Sequence, residues 1–171
     1  MLVNIISRVI DFKPTVKRMF VLRIRGKFKN YSYICAHAPM EEDSENEEEK
    51  FYEKLDWTYK QYPSYNIKSI LDDMNAKVGK EIWTGIAVGT LWILHYASND
   101  NRTLLINYAV HQCMVLQGIL FAHRNMHTGT CHGSDDRAVN QLDHVMINQQ
   151  HCSNLSDVRS YNVLMLNQIT I

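Results

Sequence analysis

The stretch that decides the fold is residues 66–79, Asn66-Ile67-Lys68-Ser69-Ile70-Leu71-Asp72-Asp73-Met74-Asn75-Ala76-Lys77-Val78-Gly79. A short apolar run opens it, of a length that suits a buried strand. Two carboxylates and a carboxamide close it. Strand ends are where a rigid element aims side chains into a cleft. A carboxylate placed there can hold a hard cation or position a water, and an amide can meet a phosphate oxygen. The same D-x-N spacing also makes a turn whose Asx side chains bond their own backbone. On the residues alone, both readings stand.

Upstream of this strand, residues 20–27 (FVLRIRGK) alternate apolar and basic, a strand pattern. Asn30 and Ser32 suggest a turn, and residues 31–39 (YSYICAHAP) read as a second strand that ends at Pro39. Together they predict a hairpin with His37 at its end. Next comes an acidic run whose negative charge suits a helix N-terminus. Phe51, Leu55 and Tyr59 follow at four-residue spacing on one helical face, and Pro63 closes the helix.

Downstream, Ile82–Asn99 is uncharged and reads as buried core or loop, with a single membrane span as the rival. Gly85, Gly89 and His95 weaken the span. Ser98-Asn99-Asp100 offers a cap for a helix through TLLINYAVHQC. MVLQGILF reads as a strand and HTGTCHG as a short one. Gln141–Ile147 alternates, with Leu142, Val145 and Ile147 as candidate core. Asp143 and His144 then fall on opposite faces and are not partners for each other. Asp143 could instead orient a histidine from elsewhere. LSDVRSYNVLMLNQITI reads as a last strand with a ragged tail.

Composition sets the frame around these elements. The chain has 171 residues, 46% apolar and 21% charged, with 18 basic and 18 acidic groups. This fits one globular domain and excludes a collagen, a coiled-coil rod and a wholly disordered chain. The neutral average hides a split. Residues 1–30 carry eight basic groups against Asp11, and residues 41–50 carry seven acids against Lys50. Cys35, Cys113, Cys131 and Cys152 have no metal-ligand spacing and read as reduced thiols of an intracellular protein, nuclear or cytoplasmic. The N-terminus meets Arg8 and Asp11 too soon for a signal peptide.

Four separated motifs, in this order, resemble the endonuclease/exonuclease/phosphatase superfamily, and within it the apurinic-type endonuclease domain of non-LTR retrotransposons. They are His37-Ala38-Pro39-Met40, Asp72-Asp73-Met74-Asn75-Ala76-Lys77-Val78-Gly79, Ser98-Asn99-Asp100-Asn101-Arg102 and Asn140-Gln141-Leu142-Asp143-His144-Val145. The resemblance runs over about residues 8–161, with 162–171 as a divergent tail. It implies an α/β (α+β) fold, a two-sheet sandwich flanked by helices, incomplete at both ends, whose missing strands leave unpaired edges. It also implies a phosphodiester hydrolase. Asp73 would position the attacking water or protonate the leaving group. Asn75 would contact the scissile phosphate, Asp143 would orient the catalytic histidine, and His37 would lie near the phosphate. Asn99, Asn101 and His144 would touch substrate. Magnesium would be the metal, with ligands unknown, and the basic arm would track DNA.

The departures from that pattern shape the expectation. The family's first strands carry a metal-binding Glu that this chain does not contain. A family glycine is Asp72 here, a loop glycine is Arg102, and a usual Trp is Cys131. The closing Ser-Asp-His is replaced by Asn167-Gln168-Ile169-Thr170-Ile171. Asn-Gln-Ile-Thr can be encoded so that reading two bases later restores Ser-Asp-His, so we hypothesise a frame shift near Asn162. Codons incompatible with that shifted reading would end the idea. The expectation is therefore a degenerate, retrotransposon-derived endonuclease-like domain, catalytically impaired or inactive and of marginal stability. The rivals are an active phosphodiesterase that recruits Asp72 and His144, and a non-enzymatic nucleic-acid-binding or scaffold protein.

Overall fold

A computed structural model describes residues 5–40, 42–79, 98–117, 131–132, 139–140, 142–163 and 166–170. Its frame is a six-stranded sheet built from β1 (Val9–Val16), β2 (Met19–Ile24), β3 (Tyr31–Ala36), β4 (Ile67–Asp73), β5 (Met114–Leu116) and β8 (Asp143–Asn148). The strand order is β1-β2-β3-β4-β8-β5, with β3 and β4 parallel and every other neighbouring pair antiparallel. Two ribbons lie outside this ladder: β6 (Cys131–His132) with β7 (Val139–Asn140), and β9 (Arg159–Val163) with β10 (Leu166–Thr170). The expected mixed α/β class is what the chain adopts.

The helices are α1 (Glu45–Lys60) and α2 (Asn101–His111). Glu45, Glu47 and Glu48 fill the first turn of α1, where the helix dipole favours negative charge. Phe51, Leu55 and Tyr59 are buried as their spacing predicts, together with Leu105, Tyr108 and Ala109 of α2. They pack with one face of the sheet. That face has a straight row at its centre, because Val21 pairs with Ile34, Ile34 with Ile70, and Ile70 with Met146. All four residues are at most 1% exposed.

Register places the ends of the strands. β3 and β4 run toward Ala36 and Asp73, while β8 begins beside them at Asp143, directly opposite Asp73. The β1–β2 turn at Lys17-Arg18 lies at this same end, because the Arg18 carbonyl accepts the His37 N–H at 2.9 Å. One end of the sheet therefore gathers His37, Asp73 and Asp143 from three strands.

Three differences from the sequence expectation have physical reasons. First, β1 was not expected. It is a mostly exposed edge strand, so its apolar and polar residues show no single-face period, and Pro14 interrupts the pattern. Lys13 and Pro14 are edge-blunting residues, and β1 and β5 are the sheet's two edges. Second, β8 is buried on both faces rather than alternating. His144 and Asn148 are 2% and 8% exposed, and Leu142 is only half-buried. The polar pair can sit inside because each is hydrogen-bonded: His144 to the Ala76 carbonyl, and Asn148 to the Lys68 N–H and the Tyr59 hydroxyl. Third, neither helix has a side-chain cap at its start. Ser98 and Asn99, expected to cap α2, reach back to another loop. The uncharged run at 80–97 lies outside the described residues. Among the described residues, no helix is long and apolar enough to cross a membrane.

Candidate active site

The chain leaves β4 through a tight turn. Asp73 Oδ1 accepts the Asn75 N–H at 2.8 Å, and Asn75 adopts a left-handed backbone with φ 47°. Asparagine tolerates that region because its short polar side chain bonds locally. The turn reading of D-x-N is therefore realised, and it coexists with the strand-end placement. Asp73 and Asn75 are both half-buried at the open end of the sheet.

Three asparagines then tie three loops together. Asn75 Nδ2 donates to the Ala38 carbonyl at 2.8 Å, which joins the turn to the end of β3. Asn99 closes a two-way lock: its Nδ2 donates to the Asn75 carbonyl at 2.8 Å, and its Oδ1 accepts the Lys77 N–H at 2.8 Å. Asn101 Nδ2 lies 3.2 Å from both the Asn75 and Pro39 carbonyls. Ser98 Oγ accepts the Gly79 N–H at 2.8 Å. His144 supports the same loop from beneath, its Nε2 2.7 Å from the Ala76 carbonyl.

Each expected site residue can now be placed. His37 is exposed, and Asp73, Asn75, Asn99 and Asp143 are half-buried. Asn101 and His144 are buried, at 3% and 2% exposed, and their side chains bond backbone carbonyls. They hold the loop that carries Asn75 instead of facing outward. Asp73 and Asp143 face each other across the ladder.

Arg18 is the residue that sequence reasoning missed. Its Nη1 donates to the Ala38 carbonyl at 3.3 Å, and its Nη2 lies 3.6 Å from an Asp43 oxygen. Its membership of the basic arm was its only signal. The basic arm as a whole is divided by the ladder. Lys17 and Arg18 sit at the site end, whereas Arg25 pairs with Arg8 at the far end and Lys29 reaches His151 there.

The donor set can be tested against a metal. Among the described residues, no three His, Cys, Asp or Glu side chains gather in a way that could hold one. Asp73 and Asp143 are two carboxylates, and one oxygen of Asp73 is already engaged by the turn. Among the described residues, these donors do not make up a metal centre.

The asparagine lock yields a stability prediction. Asn99→Ala leaves the Lys77 N–H and the Asn75 carbonyl each without that partner, which should cost about 2 kcal/mol. Thermal denaturation checks it through a melting temperature lowered by several degrees. A shift below one degree would show that the loops do not depend on Asn99.

Comparison with known proteins follows this geometry. No family model matches the chain. It is 29% identical over 143 residues to craniofacial development protein 2 of Tragulus javanicus and 28% identical to that of Bos taurus. Each alignment takes in 84% of this chain and 24% of the relative, so the chain spans about a quarter of the curated relatives' length. In structure it is similar to the endonuclease domain of TRAS1, a telomere-specific non-LTR retrotransposon. The TM-score is 0.56 at 13% identity, covering 89% of this chain and 61% of that one. It is also similar to an endonuclease/exonuclease/phosphatase family protein from Leptotrichia buccalis, with a TM-score of 0.51 at 12% identity, covering 88% and 47% of the two chains. The chain is thus similar in sequence to part of craniofacial development protein 2 and carries the fold of the endonuclease/exonuclease/phosphatase structures it matches.

Proposed function

We propose that this chain is a retrotransposon-derived nuclease-type domain that holds nucleic-acid phosphates at the Asp73–Asn75–Asp143 end of its sheet and cleaves them weakly or not at all. The phosphate-binding half of this reading is supported by the convergence of His37, Asn75, Lys17 and Arg18 at one sheet end. Amide and guanidinium donors are suited to phosphate oxygens. In this reading Asn75, presented by a left-handed turn that three side chains hold in place, contacts the phosphate. Asp73 braces that turn, and the exposed His37 is a further donor.

The observation that carries the second half is the donor set. Among the described residues, no third acid, histidine or cysteine gathers with these two facing carboxylates, which supports impaired hydrolysis in this reading. Removing one member of a catalytic unit commonly costs orders of magnitude in rate.

Supercoiled plasmid and abasic duplex incubated with the chain and magnesium test this reading. The expected result is nicking no faster than in buffer, and identical for Asp73→Asn. Magnesium-dependent nicking that Asp73→Asn abolishes would establish the active-enzyme reading in its place.

A further inference from the structure

A groove of about 270 Å³ runs between the β1–β2 turn and α1, next to the site. Its floor is apolar: Met19 and Phe51, 4% and 6% exposed, with Pro39 also in the lining. Its rim is cationic on both sides. Lys17 and Arg18 come from the turn, and Lys50 and Lys54 come from α1. The α1 contribution follows from helical spacing, since residues 47, 50, 51 and 54 share one face. Among the described residues Glu47 is the carboxylate in its lining and Asp43 lies 3.6 Å from Arg18, against four cations.

The same helix continues the feature past the groove. Trp57 is 54% exposed, and Lys54 Nζ stands 5.6 Å from its ring centroid. An exposed indole next to a row of cations offers a stacking surface with charge beside it.

We infer that this groove binds a single strand of nucleic acid, with backbone phosphates on Lys17, Arg18, Lys50 and Lys54 and an unstacked base against the apolar floor or Trp57. The inference rests on the phosphate-binding reading above and extends it to a second subsite beside the strand ends. The combination selects the ligand. A duplex backbone would need only the cations, and an apolar partner would gain nothing from four of them. Proteins that hold single strands combine a positive groove with aromatic faces, because every base has a π-face. Glu47 opposes such a ligand, and this gives the test a second direction.

The test is fluorescence anisotropy of a labelled oligothymidylate on the full chain, at several salt concentrations. The double variant Lys50→Glu with Lys54→Glu should weaken binding about tenfold or more and flatten the salt dependence by one to two counterions. Glu47→Gln should tighten binding severalfold. Lys60→Glu reverses a charge that pairs with Asp56 outside the groove, and should leave affinity within about twofold. Circular dichroism confirms that each variant is folded. Trp57→Phe should remove the part of the tryptophan quenching that the oligonucleotide causes.

Wild-type affinity in the double variant would overturn the groove and leave the proposed function standing. So would an equal loss in Lys60→Glu, or capture of poly-glutamate in preference to the oligonucleotide. Nicking in the plasmid assay would overturn the inactivity and leave the groove standing.

Discussion

Ile70→Ala should lower the unfolding free energy by about 3 kcal/mol, within the 2–5 kcal/mol that such truncations cost in a close-packed core. Ile70 is fully buried in the middle of the central row, with Ile34 and Met146 in register on either side and the two helices packed with that face. The truncation removes apolar contact and leaves a void that a flat, hydrogen-bonded sheet closes poorly. A domain of this kind has about 5–15 kcal/mol in all, so the loss is a large share. Urea titration checks it through a lower midpoint at unchanged slope. A loss under about 1 kcal/mol would mean that the site collapses freely, and that the sheet is not the rigid base on which the strand ends depend.

Alkaline pH should expose a second large effect. Tyr52 and Tyr108 lie with ring centroids 5.7 Å apart at the α1–α2 contact. Burial pushes both phenols well above their ordinary range, with Glu48 adding to Tyr52, and Tyr59, Asp56 and Tyr52 adding to Tyr108. A phenol whose pKa is raised by folding contributes its full stability below the unfolded value near 10. That stability is lost as pH rises toward the folded value, because only the unfolded chain then ionises. Each group loses up to about 1.4 kcal/mol per pH unit. The double variant Tyr52→Phe with Tyr108→Phe should therefore lose about 2 kcal/mol less than the parent chain between pH 10 and 11, and about 5 kcal/mol less by pH 12.

At neutral pH the same double variant should match or exceed the parent. Neither hydroxyl has a hydrogen-bond partner among the described residues, and an unbonded buried hydroxyl is destabilising. Chemical denaturation at pH 7, 10 and 11 measures both effects. Parallel losses in the two chains would show that these phenols ionise as freely folded as unfolded.

The two predictions concern elements of different legibility. Ile70 could be placed in a core from its own neighbourhood, because a short apolar run bounded by polar residues reads as a buried strand wherever it lies. The Tyr52–Tyr108 contact could not. It joins residues on two helices, and nothing in the spacing within either helix says that the helices meet.

The site divides along the same line. That Asp73 and Asn75 stand at a strand end, and that their spacing makes a turn, follows from residues within three positions of one another. That Asn99 and Asn101 bond the Asn75 and Pro39 carbonyls depends on loops 24 to 62 positions apart. From sequence Asn99 reads as part of a helix cap, and the resemblance implies substrate contacts for both, because the hydrogen-bond target of a carboxamide is set by whichever backbone comes near it. Arg18 and the groove walls escaped for the same reason: sequence shows Lys17 and Arg18 only as two of eight basic groups in residues 1–30, and nothing local says that α1 lies beside them.

The sequence by itself determined the alternation of strands and helices, the buried face of α1, and the strand that ends in carboxylates, since each is a periodicity carried by near neighbours. Only the tertiary structure decided the double burial of β8, the division of the basic arm between two ends of the sheet, and the asparagine lock. The first depends on strands far apart in the chain, the second on how the β1–β2 hairpin lies in the sheet, and the third on loops brought together by that sheet, none of which local spacing encodes.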